Sequence, residues 1–215
     1  MLNGIQLKIC GLTTLSDATA AALSGADFLG FILYPKSPRY LSLVAYHTLT
    51  SALPTAPRRV AVMVAPSTAE LAEAVDAGFD FFQLHYPLTT PLETVAAWSA
   101  QVGVDRLWLA PKLPPELDVP AETLPLAGTF LMDTFHAAGF GGSGQTGDWA
   151  KFSRHRLAHP GHTWILAGGL NPDNLAEAVG RSGTGFVDLN SGVESAPGVK
   201  DHAKLQRLAG LNFGR

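Results

Sequence analysis

The stretch Thr163-Trp164-Ile165-Leu166-Ala167-Gly168-Gly169-Leu170-Asn171-Pro172-Asp173-Asn174-Leu175-Ala176-Glu177-Ala178-Val179-Gly180 holds a whole strand-loop-helix unit. Thr163–Ala167 is a short run of β-branched, aromatic and aliphatic residues, the make-up of a buried strand. Two glycines break it. Pro172, after Asn171, suits the first turn of a helix, because its φ is already helical and its missing N–H is not needed there. From Asn174 to Gly180 the apolar residues Leu175, Ala178 and Val179 return at helical spacing.

The unit repeats in both directions. Further candidate strands are Ile5–Cys10, Asp27–Leu33, Arg59–Ala65, Asp80–His85, Arg106–Ala110, Thr129–Asp133 and Gly185–Asn190, which with Thr163–Ala167 make eight. Helical segments lie around Leu15–Ser24, Leu43–Ala52, Ala69–Ala77, Pro91–Ala100, Asp148–Ala158, Asn174–Gly180 and His202–Ala209. Only the proline-rich stretch Pro114–Gly128 reads poorly as a helix. Ser67 or Thr68 is a cap ahead of Glu70, and Ser24-Gly25-Ala26-Asp27 and Ala77-Gly78-Phe79-Asp80 repeat one helix-to-strand turn. Alternating strands and helices imply a parallel sheet. Eight regular units in 215 residues fit a closed (βα)8 barrel better than an open doubly wound sheet. No linker or shift in composition divides the chain, so residues 1–215 are expected to form one (βα)8 barrel domain of the α/β class.

With 47% hydrophobic and 15% charged residues the chain has the balance of a compact globular protein. A formal net charge of -3 offers no footprint for a nucleic-acid backbone. No charged leader precedes an apolar stretch, and no apolar run approaches membrane-spanning length. The expectation is a cytoplasmic protein, monomer or homodimer, with neither nucleic acid nor membrane as partner. Cys10 is the only cysteine, which excludes an internal disulfide and a multi-cysteine metal site. His155 and His159 stand at i,i+4, but no third ligand follows and the glutamate of a zinc-protease helix is missing, so no metal is expected.

In a (βα)8 barrel the chemistry sits where the strands end. Here those ends carry Cys10-Gly11, the loop Tyr34 to Tyr40 with Arg39, Gln83-Leu84-His85, Asp133-Thr134, Gly168-Gly169 and Asp188-Leu189-Asn190-Ser191-Gly192. Gly168 and Gly169 either permit a turn or let backbone N–H groups close on an anion; the second glycine loop at Ser191-Gly192, on the neighbouring strand, favours a phosphate. Gly142-Ser143-Gly144-Gln145-Thr146-Gly147 formally matches G-x-G-x-x-G, but it lies past the strand end with no acidic residue placed to hold a ribose, so it reads as a substrate-covering loop.

A lone cysteine is usually a small buried hydrophobe. Cys10, however, closes the first strand at the catalytic end, and period-two alternation puts Lys8 on its face, where an ammonium would favour the thiolate. Asp133 ends an apolar run, so its carboxyl is either a desolvated general acid or a carboxylate satisfied by loop N–H groups. Arg39, behind two prolines, is either a surface arginine or a bidentate carboxylate holder. Strands eight and one adjoin in a closed barrel, which allows an Asp188–Lys8 pair.

In their order these motifs resemble phosphoribosylanthranilate isomerase, a barrel enzyme of tryptophan biosynthesis. The resemblance runs from Lys8 to Asp201. It rests on Lys8-Ile9-Cys10-Gly11, Gly30 to Tyr40, Gln83-Leu84-His85, Gly141-Gly142-Ser143-Gly144, Leu166 to Pro172 and Ser191 to Asp201. It implies a cofactor-free Amadori rearrangement of N-(5-phosphoribosyl)anthranilate to 1-(2-carboxyphenylamino)-1-deoxyribulose 5-phosphate, with Cys10 as general base and Asp133 as general acid. Lys8, Arg39, Gln83, His85 and Asp188 are then the substrate-binding candidates, Arg39 holding the anthranilate carboxylate. Gly142, Gly144, Gly168, Gly169, Ser191 and Gly192 are the phosphate-binding candidates. The chain departs from the family in having Tyr86-Pro87 after Gln-Leu-His, Gln145-Thr146-Gly147 after Gly144, and no asparagine in Met63-Val64-Ala65-Pro66. A related isomerase of another phosphoribosyl amine and an idle phosphosugar-binding barrel are the competing readings.

Overall fold

The computed structural model describes residues 4–133 and 148–211. Strands β1 (Gln6–Ile9), β2 (Phe28–Ile32), β3 (Arg58–Val64), β4 (Phe81–Pro87), β5 (Leu107–Lys112), β6 (Thr129–Met132), β7 (Thr163–Leu166) and β8 (Phe186–Leu189) close into a parallel eight-stranded barrel. The closing pair is β8 against β1, with Lys8 in register with Asp188. Helices α1 (Leu15–Leu23), α2 (Leu43–Thr50), α3 (Thr68–Asp76), α4 (Leu92–Val102), α5 (Trp149–Ala158), α6 (Leu175–Ser182) and α7 (His202–Ala209) pack outside it. Ser67 caps α3 and forms a full capping box with Glu70.

Two local features differ from the sequence pattern. Asn171 Oδ1 accepts from the N–H groups of Asp173 (2.8 Å) and Asn174 (3.2 Å), so a side-chain-closed turn absorbs Pro172 and α6 begins only at Leu175. After β8 the chain makes a small hairpin, β9 (Glu194–Ala196) and β10 (Val199–Lys200), which strand periodicity alone did not reveal. In the proline-rich stretch only a 3-10 turn forms, at Ala121–Leu126, with Pro125 inside it.

Alternation along the strands sorts residues into two cores. Leu7, Ile9, Leu29, Phe31 and Leu84 point outward and pack with helix residues such as Tyr46, Trp98 and Phe152. Inside the barrel, Phe28, Phe81, Trp108 and Phe186 come from the strand beginnings. Phe28 stacks on Phe186 at 4.9 Å, Phe81 on Trp108 at 4.9 Å, and Phe28 meets Trp108 edge-on at 5.2 Å. Four large rings plug the lower end of the barrel, each a large burial of apolar surface. Two and four positions beyond Phe81 and Phe186, the polar residues Gln83, His85, Asp188 and Asn190 are thereby left to line the other end.

Candidate active site

A pocket opens at the strand C-terminal ends. Its wall includes Cys10, Arg39, Gln83, His85, Asp133, Gly168, Gly169, Asp188, Ser191 and Gly192. These come from six of the strands or the loops that follow them, so residues far apart in sequence converge on one cavity. Gly142 and Gly144 lie outside the described residues.

Lys8 is not on the wall. It is completely buried beneath Cys10, and its Nζ lies 2.8 Å from Asp188 Oδ2. Gly30, on the adjoining β2, makes this arrangement fit: a Cβ there would stand 2.9 Å from Lys8 Cε and 3.0 Å from Cys10 Sγ. An isolated glycine in an apolar strand often marks such a close approach, and Phe28-Leu29-Gly30-Phe31-Ile32 carries that signal.

The electrostatics correct one expectation. Burial pushes the Cys10 thiol up, and although Lys8 pulls in the opposite direction through charge and hydrogen bonding, burial wins. The resting group is therefore more thiol-like than the Lys8 neighbourhood alone implied. Burial works against the Lys8 ammonium too, but Asp188 and Cys10 together raise its pKa, so it stays protonated. Burial raises the Asp188 carboxyl against the pull of Lys8.

On the opposite wall the Gln83 amide Nε2 lies 2.8 Å from His85 Nε2. An amide N–H only donates, so that ring nitrogen accepts and Nδ1 carries the proton. Burial first, then the charge of Lys8, lowers His85 to about 4, which keeps the imidazole neutral near neutral pH. Gln83 Oε1 and Asp188 Oδ1 are buried acceptors with no hydrogen-bond partner among the described residues. Leaving such an acceptor unmatched costs about 1–3 kcal/mol each, so this pocket favours a ligand that brings hydroxyl or N–H donors.

Gly168 and Gly169 have φ of +89° and +64°, which L side chains rarely adopt. A Cβ on Gly192 would fall 1.9 Å from the carbonyl oxygen of Leu170. The two glycine loops thus pack backbone to backbone. Arg39 is mostly buried and already meets a carboxylate: its Nε and Nη2 donate to Glu194 Oε1 (2.8 Å) and Oε2 (2.7 Å).

The sequence model of the N-(5'-phosphoribosyl)anthranilate (PRA) isomerase family matches residues 7–209, almost the whole described barrel. The chain belongs to this family. The N-(5'-phosphoribosyl)anthranilate isomerase of Cereibacter sphaeroides is 41% identical over 95% of this chain and 96% of its own length. The crystal structure of phosphoribosyl anthranilate isomerase from Thermus thermophilus superposes with a TM-score of 0.78 at 33% identity, covering 96% of this chain and 97% of that one. A phosphoribosyl anthranilate isomerase solved in complex with reduced 1-(o-carboxyphenylamino)-1-deoxyribulose 5-phosphate superposes at 0.74, with 30% identity and coverage of 95% and 96%.

Of the departures from the PRA isomerase pattern, the strand-three end reaches the pocket through Val64, whereas Tyr86 does not line it. Tyr86 is buried and packs edge-on against Trp98 of α4 at 5.8 Å, so it fills the outer core rather than the pocket. Ala65 holds a φ of +41°, the left-handed region where asparagine is better tolerated than alanine. Gln145-Thr146-Gly147 lies outside the described residues. His155 stacks on Trp164 at 5.6 Å and lies 3.1 Å from Asp118, so its surroundings are packing and one carboxylate. Among the described residues no helix is long and apolar enough to cross a membrane. Periodicity and spacing missed Gly30, Glu194 and Lys200; the available signal was their place in the Gly30–Tyr40 and Ser191–Asp201 motifs.

Proposed function

We propose that this barrel rearranges N-(5-phosphoribosyl)anthranilate to 1-(2-carboxyphenylamino)-1-deoxyribulose 5-phosphate by general acid–base catalysis, Asp133 acting as acid and Cys10 as base. The observation that carries the reading is the convergence of Cys10 and Asp133 on one pocket with a buried Lys8–Asp188 pair beneath the thiol. Asp133 protonates the ribose ring oxygen, the C1–O bond breaks, and the anthranilate nitrogen supplies its lone pair to give an iminium. The Cys10 thiolate then takes the C2 proton. The C2–H electrons form the C1–C2 double bond and the C=N π pair returns to nitrogen, giving an enolamine that tautomerises to the ketose. Protons pass between enzyme and substrate and electron pairs shift within the substrate, with C1 reduced as C2 is oxidised, so no redox cofactor is required.

The remaining wall supplies binding. Gly168, Gly169, Ser191 and Gly192 surround the substrate phosphate with backbone N–H groups near the start of α6, and Gly142 and Gly144 belong to the same set in the family pattern. Asp188 Oδ1 and Gln83 Oε1 accept from substrate hydroxyl or N–H groups, and Arg39 takes the ring carboxylate. Loss of anthranilate-type fluorescence tests the reading on wild type, Cys10→Ala and Asp133→Asn. Each substitution should lower kcat by about 10²–10⁴-fold. Turnover by wild type with nearly full activity in both variants would refute the assigned roles.

A further inference from the structure

The guanidinium of Arg39 has two edges able to grip a carboxylate, one made by Nε and Nη2, the other by Nη1 and Nη2. Glu194 occupies the first, at 2.8 and 2.7 Å. Arg39 lines the pocket and Glu194 does not. Glu194 is itself fixed from three further directions. Its Oε1 accepts from Lys200 Nζ at 2.9 Å and from the Gly198 N–H at 3.3 Å, and its backbone carbonyl accepts from Lys204 Nζ at 2.8 Å. Lys200 Nζ reaches on to Asn190 Oδ1 at 3.0 Å. Gly11 leaves room for the arginine stem: a Cβ there would stand 2.8 Å from Arg39 Cδ. Burial works against the Glu194 charge, but Arg39 and Lys200 together hold its carboxyl below the usual range. One carboxylate thus serves two cations, Arg39 and Lys200, beside the pocket.

We propose that Glu194, braced by the β9–β10 hairpin and Lys200, is a positioning residue for Arg39, aiming the Nη1–Nη2 edge at the carboxylate of the substrate's aromatic ring. This rests on the reading of Arg39 as the carboxylate holder. It explains how one arginine meets two carboxylates without repelling the second: Glu194 takes the side-on edge, the ligand the end-on edge. Glu194 then sets specificity for a carboxylated ring without touching the substrate.

The test compares two substrates, N-(5-phosphoribosyl)anthranilate and N-(5-phosphoribosyl)aniline, which lacks only the carboxylate, with the isomeric products separated by chromatography. Arg39→Ala should lose about 100-fold in kcat/KM on the carboxylated substrate and change little on the other. Glu194→Gln, which keeps the shape and one acceptor, should lose about tenfold on the carboxylated substrate, carried mainly by KM, with the aniline compound unaffected. The ratio of the two kcat/KM values does not depend on how much of a variant is folded. An equal loss on both substrates, or no loss on either, in Glu194→Gln would overturn the inference. If Arg39→Ala also treats the two substrates alike, the reading of Arg39 fails with it; if Arg39→Ala discriminates and Glu194→Gln does not, only the role of Glu194 fails.

Discussion

Replacing Lys8 with methionine removes the buried ammonium beside Cys10 while keeping the length of the side chain. The thiol then loses the favourable charge nearest to it, and burial and the like charge of Asp188 push it up against only the weaker pull of Lys200. Opposite charges about 4 Å apart at an effective dielectric of about 20 are worth about 4 kcal/mol, so the thiol pKa should move further up when the ammonium is removed. Each unit removes tenfold of the thiolate near neutral pH, and kcat/KM should fall by about 10–10³-fold and partly recover at high pH. Cys10 is the only cysteine, so the pH dependence of alkylation by iodoacetamide reads this one group. In wild type the midpoint should lie above the ordinary thiol value of about 8.5, and kcat/KM should rise with pH toward it. In Lys8→Met the midpoint and that rise should shift to higher pH together. Stability separates the two effects. The single variant strands Asp188 as an unpaired buried carboxylate, costing about 3–5 kcal/mol at neutral pH, whereas Lys8→Met with Asp188→Asn should regain most of that loss without regaining the ammonium. An unshifted alkylation midpoint in folded Lys8→Met would refute the electrostatic role of Lys8.

Two further outcomes follow from the same electrostatics and backbone geometry. His85 titrates at about 4 in the fold against about 6.5 when unfolded, so between those values the unfolded chain binds the extra proton and stability falls as pH drops through the window. Because the ring is partly open to the pocket, the loss should be about 1–3 kcal/mol, and urea unfolding of His85→Gln from pH 7 to 4 should show a correspondingly flatter profile; an unchanged profile would contradict the buried neutral ring. Ala65 is exposed and left-handed, so Ala65→Asn should raise stability by about 0.5–1 kcal/mol, seen as a higher urea midpoint at unchanged slope and unchanged turnover.

Much of the fold was legible from local pattern. Strand and helix periods are properties of neighbouring residues, and the eight strands and seven helices read from the sequence appear in the structure with ends displaced by a few residues, as at α6, where the Asn171 turn delays the helix. The end of the barrel that holds the site was equally readable, because parallel strands deliver their C-terminal residues to one face. The placement of Lys8 and Cys10 on one side of β1 followed from alternation, and the pairing of Lys8 with Asp188 followed from closure.

The direction of the Cys10 titration was not legible, since it depends on how completely the surrounding strands exclude water, a sum over the whole barrel rather than a property of Lys8-Ile9-Cys10. The partner of Arg39 was equally hidden: Glu194 is 155 residues away and reaches it only because the hairpin after β8 folds back over the loop after β2. Lys151 gives the same lesson, its ammonium held by the carbonyl oxygens of Pro114, Pro115 and Leu117 across the barrel's proline-rich crossing. By itself the sequence determined the repeating unit, the closed sheet and the set of residues delivered to its mouth, because these rest on period and order. Only the tertiary structure decided which charges meet and which are stripped of water, because both are set by distances between segments that the chain order leaves free.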